Sequence, residues 1–362
     1  MSERGGGSKG RGACDTMPPM QNLNSRCAVL GLLLAISAAP LALAKPLEIF
    51  FIDVEGGQAT LIVSPSGQSL LIDTGWRGFE GRDADRIVQA AKAAKVKQID
   101  YLLITHYHRD HVGGVPQLAD QMKILNFLDH GPNTEDTKVV REDYADYVKT
   151  IQRGEHMVLK PGDTVPIKGL SVKVLTANGE HIQTPLEGGG QPNSYCAATP
   201  KHDADPTENA RSVGVLLTYE KFRFLDLGDL TWNKELELMC PNNLIGIVDV
   251  LLVSHHGVNQ SNSPALVDAV HPRVAIMNNG PRKGASPDAW QIVKDSPGLE
   301  DLWQVHYAVD GGKEHNVADS FIANVDERCT GQYIKLTAEG NGAFTVWNQR
   351  NKFEKVYKPS GK

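Results

Sequence analysis

The chain has 362 residues, of which 41% are apolar and 22% are charged, proportions typical of a globular protein and not of a disordered or fibrous one. A chain of this length can bury a large core without disulfide support, as one large domain or two modest ones. The formal net charge of −6 gives no reason to expect a nonspecific nucleic-acid binder held by a basic surface.

The amino terminus predicts export. Arg26 precedes an apolar stretch, residues 27–44, which ends in the small-residue sequence Ala42-Leu43-Ala44. These are the three parts of a secretory signal peptide, so we expect cleavage after Ala44 and a secreted or periplasmic protein. The alternative is a membrane anchor, but the stretch is barely long enough to span a bilayer and contains Pro40.

We therefore divide the chain into an N-terminal tail and signal peptide, residues 1–44, and one domain, residues 45–362. No stable membrane anchor is expected after cleavage.

The first half of this domain alternates strand and helix patterns. Short apolar runs separated by turn residues predict three strands in hairpin order at residues 47–54, 59–63 and 69–73. A helix is predicted at residues 84–94 and a buried strand at 99–104. Further strand and helix patterns lie at residues 124–128, 139–151 and 170–175.

An irregular stretch, residues 178–209, precedes the second half. Loops of about 30 residues are uncommon in compact domains and are usually functional lids or disordered segments. The patterns that follow predict a hairpin (212–219 and 221–227), a helix (230–239), a buried strand (248–253), a helix, strand and helix (264–270, 274–277 and 288–293), and a final strand pair within 333–347.

The clearest functional motif follows the predicted strand 99–104. His106, His108, Asp110 and His111 supply imidazole and carboxylate donors, which suit zinc and similar divalent ions. The spacing of His106 and His108 allows both rings to face one ion from an extended segment. Asp110 and His111, one step further along the turn, can face a neighbouring ion. Gly113-Gly114 is expected to let the backbone turn sharply into the next helix.

This run, His-x-His-x-Asp-His followed by two glycines, resembles the signature of the metallo-β-lactamase superfamily. Asp73-Thr74-Gly75 is similar to the family's early Asp-Thr-Gly turn, Gly228-Asp229 to the segment whose aspartate bridges two metals, and His255-His256-Gly257 to the strand end that brings the last histidine ligand. The resemblance implies an α/β fold, a four-layer αββα sandwich of two β-sheets flanked by helices, and a metal-dependent hydrolase.

Finer features resemble one branch, the soluble domain of the DNA-uptake competence protein ComEC and its free-standing relatives. They are the sequences of residues 51–59, 209–213 and 227–230 and the doubled His255-His256. The chain departs from the branch at Glu55-Gly56-Gly57-Gln58, where a Gly-Gln-Gly turn is usual. It departs again at Ser286-Pro287, in place of a later His-Pro.

The resemblance also implies a ligand set for two ions, most simply Zn²⁺, with Mn²⁺ or Fe as alternatives. His106 and His108 would hold the first ion, with Asp110, His111 and His256 holding the second and Asp229 bridging both. The family's usual source of a third histidine, a Pro-Gly-His-Thr segment, is missing, so His181 or solvent would complete the coordination of the first ion.

Individual polar residues in and near these motifs have further expected roles. Asp110 is expected to be essential for catalysis. His255 either faces the substrate and donates a proton or hydrogen bond, or is a packed strand-end histidine. Asp53 and Asp73 are expected to support the site from behind the ligands by fixing backbone and histidine tautomers. Asn278 and Asn279 either line the pocket or simply form a turn.

Three cysteines, Cys196, Cys240 and Cys329, follow the predicted cleavage position. In an oxidising compartment they allow one disulfide and one free thiol, and the sequence does not choose the pair. Their wide spacing gives little support to thiolate catalysis.

The leading functional hypothesis is hydrolysis of a phosphoester, with phosphodiesters ahead of monoesters. We expect a small-molecule or short substrate rather than extended nucleic acid, because phosphate contacts need clustered cations and the presumed rim offers only Lys201, Arg211, Arg282 and Lys283. Alternatives are a lactone or thioester hydrolase of the same fold, or a metal- or ligand-binding module without catalysis.

Overall fold

The computed structural model of the protein describes residues 45–360. The predicted tail and signal peptide, residues 1–44, lie outside the described residues. Within residues 45–360, no helix is both long and apolar enough to cross a membrane.

Short strands and helices alternate along the described chain. The strands are β1 (Leu47–Phe51), β2 (Thr60–Val63), β3 (Ser69–Ile72), β4 (Ile99–Leu103), β5 (Ile124–Asp129), β6 (Glu155–Val158), β7 (Thr164–Val165), β8 (Ser171–Ala177), β9 (Glu180–His181), β10 (Gln191–Pro192), β11 (Gly214–Tyr219), β12 (Phe222–Asp226), β13 (Asn242–Asn243), β14 (Val250–Leu252), β15 (Val274–Met277), β16 (Asp301–His306), β17 (Ile322–Asn324), β18 (Ile334–Ala338), β19 (Phe344–Asn348) and β20 (Glu354–Tyr357). The helices are α1 (Arg82–Ala93), α2 (Arg109–Val112), α3 (Val115–Gln121), α4 (Lys138–Thr150), α5 (Trp232–Met239), α6 (Pro264–Val270) and α7 (Pro287–Lys294).

Two large mixed sheets form the centre of the molecule. The first has the order β20-β19-β18-β1-β2-β3-β4-β5-β6, and the second β17-β16-β15-β14-β12-β11-β8-β7, with β9 paired to β8. In both sheets the strands that carry the metal-binding motifs run parallel: β3 with β4, and β12 with β14 and β15.

Three apolar cores define four layers. One core lies between the sheets and includes Leu47, Ile49 and Phe51 of β1. Alternate residues of the same strand, such as Phe50, enter the core between the first sheet and helices α1, α3 and α4. A third core joins the second sheet to α5, α6 and α7. Because successive strand residues face opposite sides, each sheet is buried on both faces. The predicted αββα sandwich is confirmed.

Most predicted elements are found with small shifts at their ends, but β6, β16, β17 and β20 were not predicted, nor were the two-residue strands β7, β9, β10 and β13. Strand β16 carries Gln304 and His306, both fully buried, which interrupt an apolar pattern. The Gln304 side chain accepts hydrogen bonds from the Trp290 indole (3.3 Å) and the Val317 amide (2.8 Å), so its burial is compensated by contacts that a sequence pattern does not reveal.

The stretch 178–209, predicted to be a lid or a disordered segment, is tied to the region of helices α5 and α6, which cover the second sheet. A disulfide joins Cys196 to Cys240, and β10 pairs with β13. The buried Asn193 amide donates hydrogen bonds to the carbonyls of Met239 (3.1 Å) and Ala265 (2.8 Å). The segment has little regular secondary structure, and these long-range contacts hold it in place instead.

Candidate metal centre

The predicted ligands come together because they follow parallel strands. Asp73 follows β3, His106 follows β4, Asp229 follows β12, and His255 and His256 follow β14. The carboxyl ends of parallel strands meet at one edge of a sheet, where such loops commonly form binding sites. A hydrogen bond from the Val213 amide to the Thr105 carbonyl (2.9 Å) joins this edge across the two sheets.

Four of the six predicted ligands form a tight cluster: Asp110, His111, Asp229 and His256 are all buried, and one ligand atom from each lies within 4.8 Å of the others. His111 Nε2 lies 3.2 Å from Asp110 Oδ2 and 3.2 Å from Asp229 Oδ2. His256 Nε2 lies 3.2 Å from Asp110 Oδ2 and 3.5 Å from Asp229 Oδ1. Asp229 therefore presents one carboxylate oxygen to each of these two histidines.

The other two predicted ligands lie beside this cluster. His106 is fully buried, with its Nε2 3.9 Å from Asp229 Oδ2 and its ring centroid 4.1 Å from that of His111. His108 stands 4.7 Å from His106 by ring centroids, but its Nε2 is bonded to Glu135 Oε2 at 2.9 Å. His106 thus faces the cluster directly. The Nε2 atom of His108, which would bind a metal, instead contacts the carboxylate of Glu135.

The donor set fits a metal ion. Within the described part of the chain, His106 Nε2, His111 Nε2, His256 Nε2 and Asp229 Oδ1 are buried and make no hydrogen bond. A buried polar atom left unpaired costs about 1–3 kcal/mol, so four in one cluster are hard to explain by packing alone. Imidazole nitrogens and carboxylate oxygens are zinc ligands, and a cation would satisfy all four atoms.

Asp73 supports the site from behind, as expected. Its Oδ2 lies 2.7 Å from His111 Nδ1 and accepts a hydrogen bond from Thr105 Oγ1 at 2.7 Å, while its Oδ1 accepts from the Thr105 amide at 2.8 Å. A carboxylate on Nδ1 holds the proton there and leaves Nε2 free for a metal. Asp53 lies elsewhere: it bonds to Arg86 and Cys329, so its expected role at the site's histidines is wrong.

The backbone of the site is strained at three residues. Asp73, His255 and His256 have φ values of 60°, 52° and 55°. These values lie in the left-handed region of backbone conformation, which residues other than glycine rarely adopt. Such strain costs of order 1–3 kcal/mol and collects at functional sites, where the surroundings hold it in place.

Gly113 and Gly114 serve close packing rather than an unusual turn. Both have ordinary helical φ values, −62° and −78°. A Cβ on Gly113 would collide with the Arg109 carbonyl, and one on Gly114 with the Thr74 carbonyl. The expectation of a sharp glycine-dependent turn is therefore wrong, and the pair instead lets α2 and α3 approach the Asp73-Thr74-Gly75 turn.

Carboxylates dominate the electrostatics of the cluster. Burial acts to lower the pKa of His111, but Asp229, Asp110 and Asp73 outweigh it and raise this pKa well above its ordinary value. Burial acts to raise the pKa of Asp110, yet the ammonium of Lys283 and the imidazole of His111 hold it well below its usual range. The site therefore favours positive charge at its centre.

His255 is buried beside the cluster. Its Nε2 lies 3.4 Å from Asp229 Oδ2, and its Nδ1 lies 3.4 Å from Ser261 Oγ. Burial, partly opposed by Asp229, lowers the pKa of His255 to about 4, so the ring is neutral near pH 7. A neutral ring suits accepting a proton or donating a hydrogen bond better than acting as a strong acid.

Three residues make contacts at the site that were not predicted from the sequence. Lys283, one of four basic residues expected at the rim, has its ammonium directly on Asp110 Oδ2. Glu135 holds His108. Gln58 donates one hydrogen bond from its backbone amide to the Asp110 carbonyl (3.1 Å) and another from its side-chain amide to the Asp226 carboxylate (3.0 Å). The last contact fixes the turn before Asp229, because Asp226 also accepts the Gly228 amide.

Other expected residues lie outside the cluster. His181, proposed as a third ligand of the first ion, lies 3.2 Å from the Gln183 side chain and 3.8 Å from Glu237, and its described contacts include no predicted ligand. Arg282 pairs with Glu327 at 2.7 Å rather than facing the site. Asn278 and Asn279 are buried and bond to Gln58 and the His306 carbonyl.

The cysteines resolve into one disulfide, Cys196–Cys240, and one free thiol, Cys329. Burial, with a contribution from Asp53, raises the pKa of the Cys329 thiol to about 12. In the metal-free protein this thiol is protonated near neutral pH, which agrees with the expectation that thiolate catalysis has little support.

Known proteins resemble the chain in both sequence and fold. The profile of the metallo-β-lactamase superfamily matches residues 52–195. Recombination protein 2 of Haemophilus influenzae is 26% identical over 241 residues, which cover 66% of this chain and 25% of that protein. ComE operon protein 3 of Bacillus subtilis is 24% identical over 251 residues, 64% of this chain and 28% of that protein. The chain thus spans about a quarter of the length of these two relatives.

Among solved structures, the metallo-β-lactamase fold protein YhfI of Bacillus subtilis matches 72% of this chain and 96% of its own length, at 12% identity and a TM-score of 0.43.

Proposed function

The chain carries a metallo-β-lactamase superfamily domain related to the competence branch, and on that premise we propose that it is a metal-dependent hydrolase of phosphoesters, with phosphodiesters ahead of monoesters. The similarity to Recombination protein 2 and ComE operon protein 3 supports this substrate class, because recombination concerns nucleic acids and their backbone is a phosphodiester.

The observation that carries the proposal is the position of Lys283. Its ammonium contacts Asp110 Oδ2 at the edge of the metal cluster, and its side chain is one third exposed. The ammonium also lies 4.9 Å from the centre of the Trp76 ring, which restricts its range. A metal ion would compete for the same carboxylate, which would free the Lys283 ammonium to meet an anionic substrate.

Asp110, His111, Asp229, His256 and His106 would hold the metal, which when bound supplies an activated water and offsets negative charge on the attacked centre. Two other side chains, Asp73 and His255, would control the protons at the site. Asp73 keeps the His111 proton on Nδ1, away from the cluster. The neutral His255 ring, 3.4 Å from Asp229 Oδ2, is placed to accept a proton or hold a leaving group by a hydrogen bond.

A cavity of about 340 Å³ is lined in part by His108, which lies beside the cluster, and would receive the part of the substrate that does not react. His202 and Trp232, whose rings stack at 4.1 Å, form one wall, and Asp203 and Asp205 are also part of the lining. The cavity size suits a small molecule. The two carboxylates would repel a long polyanion, which supports a short phosphoester over extended nucleic acid.

A substrate panel tests the proposal. The zinc- or manganese-loaded protein should hydrolyse bis-p-nitrophenyl phosphate and leave a lactone and nitrocefin unchanged. Turnover of the lactone without turnover of the diester would replace the proposal with a carbonyl hydrolase. A metal-loaded protein that is inactive on all three, yet is shifted in melting temperature by one ligand, would replace it with a binding module.

A substitution tests the role of Lys283. Lys283→Met should lower kcat/KM for the diester by roughly 10–100-fold, because a hydrogen bond to a charged group contributes about 1.5–3 kcal/mol. Lys335→Met is the matched control, since Lys335 also pairs with a carboxylate (Glu48, 3.0 Å) and lies over an aromatic ring (Phe50). Equal activity of the two variants would remove Lys283 from substrate binding.

We also propose that the protein acts after export. The Cys196–Cys240 disulfide supports this, because disulfides persist in oxidising compartments. N-terminal sequencing of the mature protein should begin at Lys45, and an intact residue 1–44 segment in the functional protein would contradict it.

A further inference from the structure

A second group of metal-binding side chains lies outside the site described above. Asp53 follows β1 in the first sheet, His306 ends β16 in the second sheet, and Cys329 follows β17. One ligand atom from each lies within 4.8 Å of the others. Because the three residues come from distant parts of the chain, the fold rather than local sequence brings them together.

The distances within this group suit one small cation. Cys329 Sγ lies 2.9 Å from Asp53 Oδ2 and 3.3 Å from His306 Nε2, and His306 Nε2 lies 3.7 Å from Asp53 Oδ2. Glu55 Oε1 is 3.8 Å from the same sulfur and provides a fourth donor. In a tetrahedral zinc site, ligand atoms are roughly 3.3–3.6 Å apart. The sulfur and Asp53 Oδ2 must therefore move apart by a few tenths of an ångström, and the two longer distances, 3.7 and 3.8 Å, must shorten slightly.

The burial of these groups also favours a ligand. Asp53 and His306 are fully buried, whereas Cys329 is half-buried and leaves a path for entry. His306 Nδ1 makes no hydrogen bond to any residue within 45–360, so no neighbour there fixes its proton and Nε2 can present a lone pair to the group. A buried imidazole with neither nitrogen well paired is costly unless something else binds it.

Charge balance points the same way. Arg86 pairs with Asp53 Oδ2 at 3.2 Å and with Glu55 Oε1 at 2.9 Å. Arg82 also contacts Glu55 at 2.6 Å, but its charge is offset by Asp83, likewise at 2.6 Å. Arg86 therefore offsets one of the two carboxylates and leaves the group with one net negative charge when Cys329 is a thiol. A divalent ion that displaces the thiol proton to solvent adds one net positive charge. The ion, thiolate, two carboxylates and guanidinium then sum to zero, which favours burial.

A nucleophilic role for Cys329 fits the geometry less well. The thiol donates its hydrogen bond to Asp53 at 2.9 Å rather than being arranged to give its proton to His306. An activated cysteine needs a base on the sulfur with the carboxylate behind that base, and here the carboxylate contacts the sulfur itself.

We propose that Asp53, His306 and Cys329, with Glu55, form a second metal site, selective for a zinc-like ion that accepts sulfur, nitrogen and oxygen ligands. The proposal is independent of the proposed function, because none of these residues belongs to the catalytic cluster. The ion replaces the thiol proton, which leaves as a solvent proton when the metal–sulfur bond forms.

The site would hold the segment that supports the catalytic cluster. The Glu55 amide donates to Asp53 Oδ1 at 2.9 Å, and Gly56 packs so closely on Lys283 that an added Cβ would lie 2.8 Å from the lysine's Cβ. Gly57 lies against the Asp110 carbonyl. A metal at Cys329 is therefore a structural ion that fixes the position of Lys283 and Asp110.

Cobalt spectroscopy tests the proposal without relying on activity. In the full chain with Cys14 and Cys27 replaced by serine, the only thiol left beside the disulfide is Cys329. Titration with Co²⁺ should produce a thiolate-to-metal charge-transfer band in the near ultraviolet. Cys329→Ser in this background should lose the band and one bound Co²⁺ per chain.

Two further variants separate this site from the catalytic one. His256→Ala should lose catalytic metal and keep the thiolate band, whereas His306→Gln should weaken or lose the band. A further measurement requires no substitution at the proposed site. In the protein with Cys14 and Cys27 replaced by serine, Zn²⁺ should slow the alkylation of Cys329 by iodoacetamide. An absent band with Cys329 confirmed as a free thiol, or alkylation unaffected by Zn²⁺, would overturn the proposal.

Discussion

Replacement of Asp73 by asparagine tests whether a residue behind the ligands controls metal binding. The Asp73 carboxylate accepts hydrogen bonds from the Thr105 amide and hydroxyl and lies 2.7 Å from His111 Nδ1. Asparagine keeps one oxygen but places an NH₂ group where the second oxygen stood. An NH₂ group cannot accept the proton on Nδ1, so the variant favours a His111 tautomer with its proton on Nε2, toward the metal.

The magnitude follows from the contact that is lost. One hydrogen bond to a charged group contributes about 1.5–3 kcal/mol. Removal of such a partner behind a metal-binding histidine typically costs about 10–100-fold in metal affinity, or roughly 1.4–2.7 kcal/mol. The two estimates agree. Asparagine also tolerates the left-handed backbone of residue 73 (φ 60°), so the substitution adds no new backbone strain.

The assay is chelator competition for Zn²⁺, together with urea unfolding of the metal-free protein. Asp100→Asn is the matched control, because Asp100 accepts hydrogen bonds from the Ser69 amide (2.8 Å), the Ser69 hydroxyl (3.1 Å) and the Gln98 side chain (3.2 Å). The control should lose stability without losing metal affinity. If Asp73→Asn binds Zn²⁺ as tightly as Asp100→Asn, the reasoning is refuted.

Three further predictions concern residues around the site. Glu135→Gln should lower the metal content per chain, because it removes a negative charge that lies 2.9 Å from His108 Nε2 and would attract a cation beside His106 and His108; unchanged metal content would contradict it. Burial raises the pKa of Glu235 to about 7, from an ordinary 4.5, so the folded protein keeps a proton that the unfolded chain releases. The free energy of unfolding should therefore fall between pH 4.5 and 7, and Glu235→Gln, compared with the exposed Glu237→Gln, should flatten that fall. Replacing both disulfide cysteines by alanine should lower the free energy of unfolding by about 4 kcal/mol, from the entropy of a closed loop with a separation of 44 residues, and a loss below about 1 kcal/mol would contradict it.

The candidate metal cluster could be predicted from the sequence for a simple physical reason. Most of its residues follow strands whose apolar pattern is clear in the sequence, and the carboxyl ends of parallel strands lie at one edge of a sheet. Asp110, His111, Asp229 and His256 could be grouped on that basis together with the family resemblance. Their arrangement around one or two ions, with Asp229 turned toward both histidines, required the coordinates.

The contacts that the sequence did not predict depend on long-range packing of polar residues. Glu135 reaches His108 because the segment after β5 is held by Glu208, whose carboxylate bonds to His130 at 2.9 Å and to the Thr134 amide at 2.8 Å. Strand β16, which carries His306, was missed because its buried polar side chains interrupt the apolar pattern. A sequence pattern reports which residues prefer burial, not which buried polar groups will find each other.

The departure at Glu55-Gly56-Gly57-Gln58 from the usual Gly-Gln-Gly turn now has a physical interpretation. Glu55 adopts φ 54°, a conformation that glycine would adopt at no steric cost. Its carboxylate offsets that strain by pairing with Arg82 (2.6 Å) and Arg86 (2.9 Å) and lies 3.8 Å from Cys329 Sγ. At the other end of the segment, Gln58 joins Asp110 to Asp226. One short turn therefore contacts both groups of metal-binding residues, and a glycine at position 55 would keep the turn but remove a donor from the Cys329 group.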